Sequence, residues 1–212
     1  MPPVIGVLAL QGAFAAHAES LRRCGASTLE VRTPADLAGV DALVMPGGES
    51  STMSQLLESS GLLAAISARI KEGMAVFGTC AGMILLAAEV LDGRADQRCF
   101  GAIDISVRRN AYGRQVDSFE ADIDTDIDTA GGSFHGVFIR APRIERVGPG
   151  VETVGSLHGE PVLVRSGNVL AASFHPELAG DDRLHGYFVS VVGPGRADDG
   201  APRTDSREKK EG

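Results

Sequence analysis

Tryptophan is absent from the chain, cysteine occurs only three times, and no apolar run approaches the roughly 18 residues that a membrane span requires. Each shortage excludes something. Cys24, Cys80 and Cys99 are widely spaced and form no CxxC pair, which argues against a zinc knuckle or disulfide framework and for a reducing compartment. A net charge of -8, with no indole to stack on bases, argues against nucleic-acid binding. The opening "MPPVIGVLALQG" has neither a basic n-region nor a small-residue cleavage site, so it reads as a first strand rather than a signal peptide. A cytoplasmic setting is expected, with no membrane partner. What is present suits one globular domain with a sizeable core: 212 residues, 43% hydrophobic and 23% charged.

Strand and helix patterns alternate through the first half. "VIGVLAL" (4–10) is a strand ending at Gln11 and Gly12, and "AFAAHAESLRRCG" a helix stopped by Gly25. "STLEVRT" (27–33) alternates as a strand, and "VDALVMPGG" (40–48) is a buried strand running into a Gly-rich loop. "SSTMSQLLESSGLLAAISARIKEG" gives one or two helices with Ser50 or Ser51 as N-cap. "MAVFGT" is the next strand and "AGMILLAAEVL" the next helix. Such alternation predicts an α/β fold, a three-layer open, mostly parallel sheet with flanking helices. From about residue 97 the pieces become short and β-rich, predicting an antiparallel extension, and "DDRLHGYFVSVV" closes the domain as a last helix. The domain is expected over 1–193. The tail, 194–212, is Pro, Gly and charge with no apolar face, and is expected to be disordered. "DIDTDIDT" (122–129) lacks the glycine and spacing of a calcium loop and reads as a solvated edge strand. No metal site is expected.

The chemistry gathers at "FGTCAGM". Gly78-x-Cys80-x-Gly82 between strand and helix has the layout of a nucleophile elbow, with sulfur in place of serine oxygen. Glycines on both sides remove Cβ atoms that would clash in the turn. The helix that follows aims free N–H groups at the sulfur, and the N–H of Ala81 is placed for a developing oxyanion. A buried, inert cysteine fits the corner too. A working thiol needs a base and an orienter, and "LAASFHPEL" (170–178) supplies His175 and Glu177 at spacing i, i+2, on one face of extended backbone. His17 and His185 fall on predicted helices, and His135 and His158 beside glycines in turns; these four read as structural or surface residues. In "MPGGESST" (45–52), Gly47 and Gly48 expose N–H groups for a second oxyanion donor, and Glu49 and Ser50 suit a polar, partly cationic substrate. A Gly-rich turn before a capped helix reads equally well. It is not a phosphate loop, since no Gly-Lys-Ser/Thr follows.

"PGGES", "GTCAG" and "FHPE", in this order and on these elements, resemble the class I, triad-type glutamine amidotransferases. "GVLALQGAFAAH", "RRNAYGRQVDSFEAD" and "GVFIRAP" narrow the resemblance to the glutaminase subunit of pyridoxal 5′-phosphate synthase, over about residues 4–192. The resemblance implies a triad of Cys80, His175 and Glu177 that hydrolyses L-glutamine through a γ-glutamyl thioester, without a cofactor. It further implies an oxyanion site from Gly47, Gly48 and Ala81, and substrate contacts from Gly48, Glu49, Ser50, Arg109, Ile139 and Arg140. Arg109 taken alone, one of two adjacent arginines on a β segment, reads as a solvated charge. Gln11, in "LQG", is implied to face a (β/α)₈-barrel synthase in a large hetero-oligomer and to couple activity to that partner. Two other readings remain open: a class I glutaminase serving a different biosynthetic synthase, and a non-catalytic stress or regulatory protein of the thiol-elbow α/β type.

Overall fold

The computed structural model describes residues 1–109, 118–125, 127 and 133–192. Twelve strands and six helices are described: β1 Val4–Leu8, α1 Phe14–Arg23, β2 Ser27–Val31, α2 Pro34–Ala38, β3 Ala42–Met45, α3 Ser50–Ser59, α4 Leu62–Lys71, β4 Ala75–Thr79, α5 Ala81–Leu86, β5 Ala87–Val90, β6 Ile103–Arg108, β7 Ser118–Thr125, β8 Phe134–Ile139, β9 Arg143–Val147, β10 Glu152–Leu157, β11 Glu160–Ser166, β12 Val169–Ala172 and α6 Arg183–Val192. The main sheet runs β2-β1-β3-β4-β12-β11-β10-β7-β8, and a second runs β5-β6-β9. Strands β2 through β12 in that order pair parallel and the rest of that sheet antiparallel; in the second sheet β6 pairs parallel with β5 and antiparallel with β9. The fold is thus the expected α/β sheet with an antiparallel extension.

Two apolar layers flank the sheet. Because side chains alternate along a strand, Val44 and Phe77 face one way and Leu43 and Val76 the other. The first pair packs with Leu21 of α1 and Leu184 and Phe188 of α6. The second packs with Met53, Leu57, Ile66 and Leu85 of α3, α4 and α5. Burying one such leucine or phenylalanine side chain contributes about 1.5–3 kcal/mol, so both layers are needed. No helix among the described residues is long and apolar enough to cross a membrane.

Several local expectations are corrected. The N-cap of α3 is Glu49, whose carboxylate accepts from the N–H groups of Ser51 and Thr52, and not Ser50 or Ser51. The "AGMILLAAEVL" helix stops at Leu86, because Ala87 turns extended and pairs with β6. β2 ends at Val31, and Thr33 instead caps a short helix, α2, by a reciprocal bond with Asp36. Residues 122–125 of the aspartate-rich segment lie in β7, which is not an edge, since β8 and β10 flank it. His135 sits within β8 rather than a turn, between Glu120 and Asp122 across the strand pair. Residues 110–117 of "RRNAYGRQVDSFEAD", residue 193 and the tail (194–212) lie outside the described residues.

Candidate active site

The chain leaves β1 toward β2 on one side and returns to lay β3 on the other. That reversal opens a crevice at the carboxyl ends of the strands. Four adjacent parallel strands, β1, β3, β4 and β12, therefore deliver their following segments to one edge: residues 11–13, 46–48, Cys80 and 173–175.

Cys80 is the corner itself. Its backbone lies at φ 50 and ψ -105, a region an L residue enters only when its surroundings enforce it. The surroundings do so from both sides. The Cys80 N–H donates to the Ala172 carbonyl at 2.8 Å, and its carbonyl accepts from Ile84 at 3.2 Å, opening α5. The turn closes this tightly because a Cβ at Gly82 would collide with the carbonyl of Met45. The sulfur lies 3.9 Å from the carbonyl oxygen of Ile139.

His175 arrives from β12, its N–H donating to the Val137 carbonyl at 2.8 Å. Its ring borders the same cavity as Cys80 on one side. On the other, Nδ1 lies 2.8 Å from Oε1 of Glu177, whose side chain is fully buried. Pro176, Glu177 and Leu178 form a 3₁₀ turn, which returns the carboxylate beneath the ring.

Cys80 and the His175 ring border an open cavity of about 310 Å³. Gly47, Gly48, Glu49, Ser50, Arg109, Ile139 and Arg140 line it together with Cys80 and His175. Arg109 is not a free charge: its Nη1 donates to Ser51 Oγ at 2.7 Å and to Gln97 Oε1 at 2.8 Å, which fixes the guanidinium at the rim. Gln97 was not singled out from the sequence. Arg140 takes φ 46, another uncommon backbone state, beside the cavity. Ala81 is fully buried at the start of α5, and Gln11 lies behind the glycine loop, its Oε1 accepting from the Glu49 N–H at 3.3 Å. Glu49 lines the cavity, yet its carboxylate is committed to the helix cap: Thr52 N–H and Oγ1 donate to it at 2.6 and 2.7 Å.

Two histidines read as structural or surface residues are fully buried behind the triad. His17 Nε2 lies 3.2 Å from Oε2 of Glu177 and 3.3 Å from Thr79 Oγ1, and its Nδ1 is 2.9 Å from His185 Nε2. Helical spacing carried the signal. His17 shares a face of α1 with Leu21, and His185 of α6 sits one turn from Phe188, both faces turned inward.

A profile of the SNO glutamine amidotransferase family matches residues 7–193. The chain belongs to that family. The pyridoxal 5′-phosphate synthase subunit PdxT of Mycobacteroides abscessus is 55% identical over 196 residues, covering 92% of this chain and all of that one. The subunit of the same name from Thermus thermophilus is 53% identical over 194 residues, covering 91% and 100%. A crystal structure of a glutamine amidotransferase superposes with a TM-score of 0.82 at 50% identity, covering 89% of this chain and 98% of that one. PurLQS from Thermotoga maritima shares the fold at TM-score 0.67 and 16% identity, covering 91% and 98%.

The electrostatics of this amidotransferase follow from its packing. Burial pulls His175 down, but hydrogen bonds and charge from Cys80 and Glu177 outweigh it and push the ring up to about 10. Burial pushes Glu177 up, yet His17 and then His175 hold it well below the usual carboxylate range. Burial also opposes ionisation of Glu49, while Thr52 and Ser51 bring it down to about 2. The stabilising contribution of Glu177 is present above its ordinary 4.5 and is lost as pH falls. That of His175 is complete below its ordinary 6.5 and is lost as pH rises through about 10. The thermal midpoint of the amidotransferase is therefore expected to fall away on both sides of mildly acidic pH. Removing the carboxylate charge at Glu177 should flatten the acid limb in a calorimetric series.

Proposed function

We propose that this chain is the glutaminase subunit of a pyridoxal 5′-phosphate synthase, a cytoplasmic enzyme that hydrolyses L-glutamine to L-glutamate and passes the ammonia to a synthase subunit. The observation that carries the reading is Cys80 and His175 at one cavity, with Glu177 bonded behind the ring, in a chain over half identical to proteins named as PdxT.

The thiolate is the nucleophile, and a protonated imidazole beside the sulfur is the partner it requires. The sulfur attacks the side-chain carboxamide carbon, and the carbonyl electrons move onto oxygen. N–H groups of Gly47, Gly48 and Ala81 are assigned to that oxyanion, each contributing about 3 kcal/mol once aligned. The C–N bond then breaks as His175 gives its proton to the departing ammonia. Neutral His175 next takes a proton from water, which attacks the thioester and releases glutamate. Arg109, held in place by Ser51 and Gln97, suits the substrate's α-carboxylate, and Arg140 and the Ile139 backbone close the same side. Because the Glu49 carboxylate caps α3, its part in binding the substrate is through the shape and backbone of the loop.

Gln11 ties the first-strand loop to the glycine loop, so a partner that moves one moves the other. The partner is read as a (β/α)₈ barrel within a hetero-oligomer. Glutamate release from glutamine, assayed with and without the barrel subunit of the same organism, tests the reading. Strong stimulation by the partner is expected. Release that ignores the partner would assign the chain to another synthase, and no release under either condition would end the glutaminase reading.

A further inference from the structure

The triad does not end at Glu177. Its second oxygen, Oε2, is buried and has no well-aligned hydrogen bond, and His17 Nε2 stands 3.2 Å from it. Thr79, the residue before the nucleophile, shares that same nitrogen at 3.3 Å. Behind it, His17 Nδ1 meets His185 Nε2 at 2.9 Å, and His185 Nδ1 is buried with no partner. The pair therefore joins α1 and α6 to the turn that carries Glu177.

The unpartnered nitrogen decides the proton positions. Buried N–H groups without acceptors are rarer and costlier than acceptors without donors. His185 Nδ1 is accordingly the bare lone pair, and its Nε2 carries the hydrogen. That hydrogen is donated to His17 Nδ1, so His17 carries its own hydrogen on Nε2, facing Glu177 Oε2 and Thr79 Oγ1. Burial and the neighbouring His17 push His185 down to about 3, which keeps it neutral over the working range.

We propose that His17, with its tautomer fixed by His185, is a positioning residue of this glutaminase: it anchors the free oxygen of Glu177 and so holds the carboxylate, and through it the His175 ring, in line with Cys80. The inference rests on the glutaminase reading for its kinetic arm only. His17 does not line the cavity, so it acts on the chemical step and not on substrate affinity. The titratable groups facing it are Glu177 from the 3₁₀ turn and His185 from α6. The fields of Asp182, just before α6, and of Arg23, on α1, also reach His185.

Three variants test the assignment: His17→Leu, which removes the donor; His17→Gln, whose amide reaches the Nε2 position; and His185→Phe, which keeps a buried ring but deletes the N–H. Glutamate release with the barrel subunit gives kcat and KM. Alkylation of Cys80 by iodoacetamide, followed against pH on the chain alone with Cys24→Ser and Cys99→Ser in the background, reads the Cys80–His175 pair without any substrate. His17→Leu should lower kcat by about 10- to 100-fold at unchanged KM and displace the alkylation profile. His17→Gln should restore most of both. If His17→Leu does not fold, His185→Phe carries the test, with the same displaced profile and a kcat loss. Wild-type kcat and a superimposed alkylation profile in the folded variants would overturn the proposal. So would equal losses in the Leu and Gln variants with the profile unmoved, which marks a merely structural role. Should the wild-type chain release no glutamate, the function fails while the alkylation arm still judges His17.

Discussion

Glu177→Gln is expected to lower kcat for glutamate release by about 10²- to 10⁴-fold, in a protein that still folds. The change is nearly isosteric, so the cause is proton placement. The carboxylate faces an imidazole on two sides: it bonds His175 at Oε1, and its Oε2 lies 3.2 Å from His17 Nε2. An amide offers one acceptor and one NH₂. If the NH₂ faces His175, that ring must present a bare Nδ1 and carry its hydrogen toward the sulfur, the wrong tautomer for a base. If the NH₂ faces His17 instead, His17 must shift its hydrogen to Nδ1, and His185 must then carry one on its buried, partnerless Nδ1. Either arrangement also removes the charge that keeps His175 protonated. Steady-state kinetics beside a thermal melt would separate this from unfolding, and near-wild-type kcat would refute it.

The contrast between Glu177 and His17 also shows what a sequence carries and what it withholds. Cys80, its flanking glycines and the His175–Glu177 spacing are local patterns, and each has a backbone reason to exist: a tight corner, or two near neighbours brought together, here by a 3₁₀ turn and not by the extended segment expected. The α/β order was legible for the same reason, since strand and helix periodicities are read within ten residues. His17 and His185 meet across 168 positions, and only the packing of α1 against α6 brings them together. The short α5 was withheld for a different reason. "AGMILLAAEVL" favours helix throughout, but Ala87 and the residues after it gain a ladder with β6, and tertiary pairing overrides propensity. Glu49 was read as a substrate contact from its place in the glycine loop; it lines the cavity, and the cap its carboxylate gives to the Ser51 and Thr52 N–H groups of α3 was not foreseen. Gln97 is visible only as the support of Arg109, a contact between the turn after β6 and a loop that no motif encodes.

The second large effect belongs to Gly47→Ala, which is expected to lose about 100-fold in activity while costing about 1–3 kcal/mol of stability. A methyl group at Gly47 would run into Cε1 of His175, lie 3.1 Å from its Nδ1, and lie 3.3 Å from the Cys80 Cβ. The imidazole is held by Glu177 behind, and the His175 backbone by its amide N–H on the Val137 carbonyl, so the ring cannot retreat without breaking the bond to the carboxylate. The loop cannot yield freely either, because Gly48 follows at φ 151 and Gln11 rests against it. Something must move, and each candidate is part of the chemistry. A control separates this collision from general stiffening of the backbone. Gly73, at φ 94, has nothing within 4 Å of its Cβ position, so alanine there strains the chain but touches no catalytic group. Gly73→Ala should therefore cost stability and leave kcat alone, whereas Gly47→Ala should lower kcat by far more than its stability loss can account for.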